Sequence, residues 1–359
     1  MTRASAPPRT QCLDVAFIAL ALCSSSCSSE RLTNANAFAP PSPASYVVVE
    51  RRAKENDEGD ETRDARDEAR DDERRAFVER RADGLRAVAN VDRVPPTHVS
   101  SFQRVLDDFE IARVRTSRGN AIVVMTCEGA RLRNDGADVT MIVSHGNAVD
   151  AGEFAPFARK LAHTLRCRVV VYDYSGYGQS TGRASVKDTY ADIEAVVAHV
   201  ATRHDVGMGE IVLYGQSIGS GPVCDFASKK RTNDVGAVVL VSPLLSALNV
   251  LSAPNAWCTP AKVYKRMDVY KNYAVVKTIR APILVIHGDH DRVVHQSHGR
   301  ALWEEICKRA RDPNDVVFDP YWIPGAGHDD TYDKNPAEFI RHLKNVCEVV
   351  RERCNDRGR

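Results

Sequence analysis

The sequence predicts an α/β fold built on a mostly parallel eight-stranded sheet, with helices on both faces and a short lid. Three observations carry this. From about residue 91 to 350, short β-rich runs alternate with helical stretches, a strand–helix–strand pattern that produces a parallel sheet. The later strand candidates, such as "VTMIVSH" and "APILVIH", are near-continuous apolar runs, as expected for strands buried on both faces. The first two candidates are joined by the turn "TSRGN", which makes them an antiparallel hairpin.

In order, the strands are expected at 110–115, 121–127, 139–145, 167–173, 210–215, 236–242, 281–287 and 316–323. Helices are expected at 153–165, 187–203, 218–229, 297–310 and 336–350. This places one domain at 91–352, followed by a tail at 353–359. Residues 41–90 are dominated by the mixed-charge run "ERRAKENDEGDETRDARDEARDDERR". With almost no apolar residues before Phe77, that run buries no core and reads as a disordered or helical linker.

Residues 1–40 have a targeting character. Arg3 and Arg9 precede a short apolar run from Val15 to Leu22, then a Ser/Cys-rich stretch. The run is far below the roughly 20 residues a membrane-spanning helix needs and fits a secretory signal. Cleavage sites are expected at Ser24-Ser25-Ser26 before Cys27, or at Ala35-Asn36-Ala37 before Phe38. The stretch Ala37-Phe38-Ala39-Pro40 also resembles the junction of plastid-targeted proteins in algae with secondary plastids. Localisation is therefore expected to be secretory or plastid-directed on this segment.

Composition narrows the function. A net charge of +1 over 359 residues gives no electrostatic footprint for nucleic acid. Ten cysteines occur without a C-x-x-C pair, so zinc and thioredoxin readings lack support. Those from Cys127 onward read as reduced, buried thiols. No cofactor or metal is expected.

Gly215-Gln216-Ser217-Ile218-Gly219 follows a buried strand and opens a helix. That is the setting of a nucleophile elbow in an alpha/beta-hydrolase fold, where Gly215 and Gly219 let the Ser217 oxygen project from a strained turn. A nucleophilic serine needs a base and a group to orient it, here in the order Ser, Asp or Glu, His. Asp291, just past the strand "APILVIH", is the expected acid, with Asp289 the alternative as a turn residue. His328, in the glycine-rich loop "IPGAGHDD", is the expected base. His287, His290, His295 and His298 crowd the acid loop without regular metal-ligand spacing. The oxyanion hole is expected from the backbone N–H groups of Ile218 and Asn147. The Asn147 side chain is alternatively a helix cap, and His145 is expected to fix this loop. In "YDYSGYGQSTG", Tyr174, Ser175 and Tyr177 are structural or line the cleft.

Residues 105–350 resemble the alpha/beta hydrolase domain-containing protein 17 family. The matching strings are "SHGNAVD", "YDYSGYG", "YADI", "LYGQSIG", "SPL", "VLVIHG", "SHG" at 297–299 and "GAGH". The resemblance implies a membrane-associated serine hydrolase that removes palmitate from S-acylated proteins, with Ser217 as nucleophile, Asp291 as acid and His328 as base. Alternatives are a general carboxylesterase, a lysophospholipase, a serine peptidase, or a non-catalytic scaffold. Animal members carry a tight N-terminal cysteine cluster for acylation. Here the candidates Cys12, Cys23 and Cys27 are spread around the apolar run. The segment from Ser242 to the strand at 281 is longer than in that family and is expected to form the lid.

Overall fold

In the computed structural model, residues 38–50, 85–129, 139–229, 232, 234–251, 266–309 and 318–357 are described. The candidate acylation sites Cys12, Cys23 and Cys27, both candidate cleavage sites, most of the charged run and the middle of the lid lie outside them. The strands in chain order are β1 (Tyr46–Glu50), β2 (Leu85–Ala89), β3 (Phe109–Arg115), β4 (Ala121–Glu128), β5 (Thr140–Ser144), β6 (Arg168–Tyr172), β7 (Ile211–Gln216), β8 (Ala237–Val241), β9 (Ile283–Gly288) and β10 (Tyr321–Ile323). The longer helices are α1 (Val99–Leu106), α2 (Ala151–Leu165), α3 (Val186–His204), α4 (Ser220–Ser228), α5 (Ser297–Cys307) and α6 (Pro336–Arg357).

β3 to β10 form one eight-stranded sheet in the order β10-β9-β8-β7-β5-β6-β4-β3. β4 pairs antiparallel with both β3 and β6, and every other neighbouring pair is parallel. Successive residues of a strand face opposite sides, and here both sides are apolar. Val212 and Tyr214 of β7 face the layer made by α2 and α6, and Ile211 and Leu213 face α3 and α4. β6, β8 and β9 split in the same way. Each aliphatic or Phe side chain buried this completely contributes about 1.5–3 kcal/mol.

Register places the site. Ser144 at the end of β5 lies opposite Gly215, Val241 opposite Gln216 and Ile286, and Ile323 opposite Gly288. The loops leaving β5, β7, β9 and β10 therefore emerge at one end of the sheet.

Four expectations need correction. Residues 41–90 are not wholly a linker outside the domain: β1 and β2 pair antiparallel, and Tyr46, Ala87 and Ala89 are buried in the same core as α2. Two short strands separated by residues 51–84 carry no local signal of pairing. The helix expected from 218 begins as a 3-10 turn, Ser217–Gly219, with α4 starting at Ser220. The last helix continues through the expected tail to Arg357, where Cys354 Sγ bonds to Gly209 O at 3.2 Å. Among the cysteines, Cys127, Cys167, Cys224 and Cys347 are buried, but Cys307 is exposed.

Candidate active site

Ser217 leaves β7 with φ at 53°, a left-handed conformation that costs a non-glycine residue about 1–3 kcal/mol. The flanking glycines make the turn sterically possible. A Cβ at Gly219 would lie 2.1 Å from Ser144 O, and one at Gly215 would lie 2.7 Å from Gly219 O. The strained residue's carbonyl is satisfied: the Ser220 hydroxyl donates to Ser217 O at 2.6 Å. Asn272 Nδ2, from the lid segment, donates to Ser220 Oγ at 3.0 Å and to Leu244 O at 2.9 Å. Neither Ser220 nor Asn272 has a sequence signal, because each acts through a neighbour brought near only by folding.

His328 Nε2 is 3.0 Å from Ser217 Oγ, and His328 Nδ1 is 2.7 Å from Asp291 Oδ2. An ionised carboxylate only accepts. Nδ1 therefore carries the hydrogen, and Nε2 is left to accept from the serine hydroxyl. Such a line can take a proton from a serine as it attacks a carbonyl.

Asp291 is buried. Burial alone would raise its carboxyl pKa, but hydrogen bonds from His287 and His328 hold it well below the usual carboxylate range. Its Oδ1 also accepts from Val293 N at 2.9 Å and Val294 N at 2.8 Å. His287 Nε2 lies 2.8 Å from Val294 O and 3.3 Å from Asp291 Oδ2. The sequence placed His287 near the acid loop without a role; it backs the carboxylate. Asp289, the alternative acid, instead accepts from Gly325 N at 2.7 Å and contacts His290 Nδ1 at 2.6 Å, which ties the two loops together. Gly288 permits that contact, since a Cβ there would be 2.3 Å from Ala326 O. His295 Nδ1 is 3.0 Å from Ser297 Oγ. Burial, with His287 and His295 nearby, pushes His298 down to about 4. It is thus neutral at pH 7, and its Nδ1 accepts from Leu245 N at 3.1 Å.

The loop after β5 reaches the serine from the other side. A Cβ at Gly146 would be 4.0 Å from Ser217 Cβ. His145 is buried, with Nδ1 2.8 Å from Gly146 O, and its carbonyl accepts from Tyr174 OH at 2.7 Å. The Asn147 side chain does not cap α2. Its Oδ1 accepts from Tyr177 OH and from Ala39 N at 2.9 Å. The cap is Asp150, whose Oδ1 accepts from Glu153 N at 2.9 Å. Tyr174, Ser175 and Tyr177 are buried and support this loop rather than line the cleft. Ser175 donates through its N–H and hydroxyl to Asp192 at 2.8 and 2.7 Å.

A cavity of about 420 Å³ runs from Asn147, Gln216 and Asp329 to a wall of Phe154, Phe157 and Tyr332. Another, of about 400 Å³, lies between Tyr190, Tyr270 and the charged side chains of Lys187, Asp225 and Arg266. Ser217, Asp291 and His328 line neither cavity, but the first cavity is lined by their chain neighbours Gln216 and Asp329. Among the described residues, no helix is long and apolar enough to cross a membrane.

Comparison with known proteins places this geometry in a lineage. A family model described as serine aminopeptidase, S33, matches residues 136–275. The Pyrococcus furiosus esterase Pf2001 superposes with a TM-score of 0.52 at 18% identity, covering 67% of this chain and 91% of that one. The fold is thus the alpha/beta-hydrolase fold expected from the elbow. Alpha/beta hydrolase domain-containing protein 17C of Xenopus tropicalis is 39% identical over 67% of this chain and 71% of its own length. The human protein of that name is 38% identical over 67% of each. At that identity and coverage, the chain belongs to the alpha/beta hydrolase domain-containing protein 17 family.

Proposed function

We propose that the protein is a serine hydrolase of acyl thioesters, with S-acylated proteins as substrates and palmitate as the acyl group released. The hydrogen-bonded line from Ser217 through His328 to Asp291 is the observation that carries the hydrolase reading. In this reading Ser217 Oγ attacks the acyl carbonyl carbon and its proton passes to His328 Nε2. The oxyanion accepts from the N–H groups of Ile218 and Asn147, each worth about 3 kcal/mol to the transition state. The carbon–sulfur bond then breaks, and the departing sulfur takes the proton from His328. A water, losing its proton to His328, attacks the acyl-enzyme carbonyl; the carbon–Oγ bond then breaks, His328 returns the proton to Ser217 Oγ, and the fatty acid leaves. A cysteine thiol, with a pKa of about 8.5, leaves readily.

The thioester class is supported by the family resemblance, and the acyl class by the aromatic-walled cavity beside Gln216 and Asn147. Seated there, an acyl chain gains about 0.8 kcal/mol, close to fourfold in kcat/KM, for each CH2 buried. The test pairs fluorophosphonate labelling of wild type and Ser217→Ala with palmitate release from an S-palmitoyl peptide and from the matching oxygen ester. Labelling lost in the variant, with thioester cleaved faster, supports the proposal. Labelling with only oxygen-ester cleavage moves the substrate to carboxylesters. An unlabelled, folded wild type removes Ser217 as nucleophile.

A further inference from the structure

The structure assigns a catalytic positioning role to the segment Phe38–Tyr46, which precedes the whole alpha/beta domain: it holds the loop from His145 to Ala151 in the shape an oxyanion hole requires. The inference rests on the hydrolase reading for its purpose and on independent contacts for its geometry. The segment grips the loop at three points. Ala39 N–H donates to Asn147 Oδ1 at 2.9 Å. Ser45 donates twice to the Asp150 carboxylate, through its N–H at 2.6 Å and through its hydroxyl. The Tyr46 hydroxyl donates to Asp173 Oδ2, while Asp173 Oδ1 accepts from Ala151 N at 2.8 Å. The grip thus begins at the expected oxyanion donor and ends at the first residue of α2.

The segment is itself fixed from behind. Asn90, just after β2, donates through Nδ2 to Ala44 O at 2.8 Å and through N–H to Ser45 O at 2.9 Å. Phe38 packs edge-on to Tyr177 and Tyr270, at ring-centroid distances of 6.3 and 6.5 Å, and joins the apolar cluster containing Ile218. The domain also makes room for the segment. A Cβ at Gly152 would lie 2.4 Å from Ser45 Oγ and 2.6 Å from Tyr46 Cδ1. A glycine in the first turn of a helix disfavours the helix; here it admits the strap. Ser45 and Tyr46 are buried although β1, which begins at Tyr46, has only β2 as a partner.

The physical consequence is preorganisation. Oxyanion donors contribute when they are fixed before charge develops, and Asn147 and Ala148 lie in an exposed turn with Ala148 at φ 59°. Without the strap this turn has fewer fixed partners, so its N–H groups spend less time aimed at the reacting oxygen. Both expected cleavage sites precede Phe38, so removal of the targeting segment at either one leaves the strap intact.

The test uses the full chain carrying Ser45→Ala, Tyr46→Phe or Gly152→Ala. Tyr46→Phe keeps the ring in the core, so it guards against loss of fold in the other two. Turnover of 4-nitrophenyl acetate is measured per fluorophosphonate-titrated serine, beside hydrogen exchange of the peptide covering 145–151. The expected result is a fall in kcat of about tenfold, KM within about twofold of wild type, and faster exchange in 145–151. Exchange equal to wild type in all three variants overturns the inference, whatever the activity. Absence of Ser217-dependent turnover in wild type overturns the hydrolase reading instead, and the exchange result still decides whether the strap holds the loop.

Discussion

The two loop systems that meet at Ser217 are held in different ways. The side carrying Asp291 and His328 is held by its own strands: Asp291 by Val293, Val294 and His287, and Asp289 by Gly325 across the neighbouring strand pair. The opposite side, from His145 to Ala151, is held by groups far away in the chain: Ala39, Ser45, Tyr174 and Tyr177 directly, and Tyr46 through Asp173. The first arrangement brings its geometry wherever its strands go. The second exists only after the N-terminal segment and the loop after β6 have docked. Damage to the first should therefore stop chemistry at once, and damage to the second should weaken it by degrees.

The largest expected effect is at the elbow. Gly219→Ala puts a carbon 2.1 Å from the Ser144 backbone oxygen, and no flexible side chain is there to yield. Fluorophosphonate labelling should vanish, with the purified protein either misfolded or inert. Next comes Asp291→Asn, which keeps the shape but offers His328 Nδ1 a group that no longer requires its hydrogen. On the proposed hydrolase mechanism the expected fall in kcat is about 10⁴-fold, as for loss of the orienting carboxylate in established serine triads, with melting temperature near that of wild type. A loss below tenfold would place the orienting role elsewhere.

On the other side the effects should be smaller. Tyr177→Phe removes one of the donors to Asn147 Oδ1 and one acceptor of Ala39 N, which keeps its bond to Asn147 Oδ1. Such a hydrogen bond is worth about 0.5–1.5 kcal/mol, so kcat should fall by about twofold to thirteenfold in ester turnover. A Tyr177→Phe loss matching that of Asp291→Asn would erase the distinction between the two sides.

The smallest effect concerns pH. Asp192 is buried under the Tyr174–Tyr177 loop. Burial raises its carboxyl to about 7 against the opposing N–H and hydroxyl bonds from Ser175. A raised carboxyl favours the folded state while protonated. Its stabilisation is complete below the unfolded value of about 3.9 and is lost as pH rises through 7. Asp192→Asn stands in for the protonated form. Its melting temperature should gain on wild type from pH 4 to 7 and stay level above that. A constant difference across this range would show that Asp192 does not titrate there.

The sequence by itself determined the layered fold, since short, near-continuous apolar strands alternating with helices admit few arrangements. It also determined Ser217 and His328 as the residues to watch, because each sits in a glycine-rich turn at the end of a strand. Those signals are local, written within a few residues of one another. Only the tertiary structure decided that Asp291 rather than Asp289 faces His328, that Asp150 rather than Asn147 caps α2, and that His287 stands behind the acid. In each case two chemically similar groups lie within a few residues, and only strand register and loop packing separate them. The strap was invisible for a stronger reason. Tyr46–Glu50 meets Leu85–Ala89 across the charged run, and Ser45 meets Asp150 across a further stretch of chain. No local periodicity records contacts between segments so far apart; they arise from the packing of the finished domain.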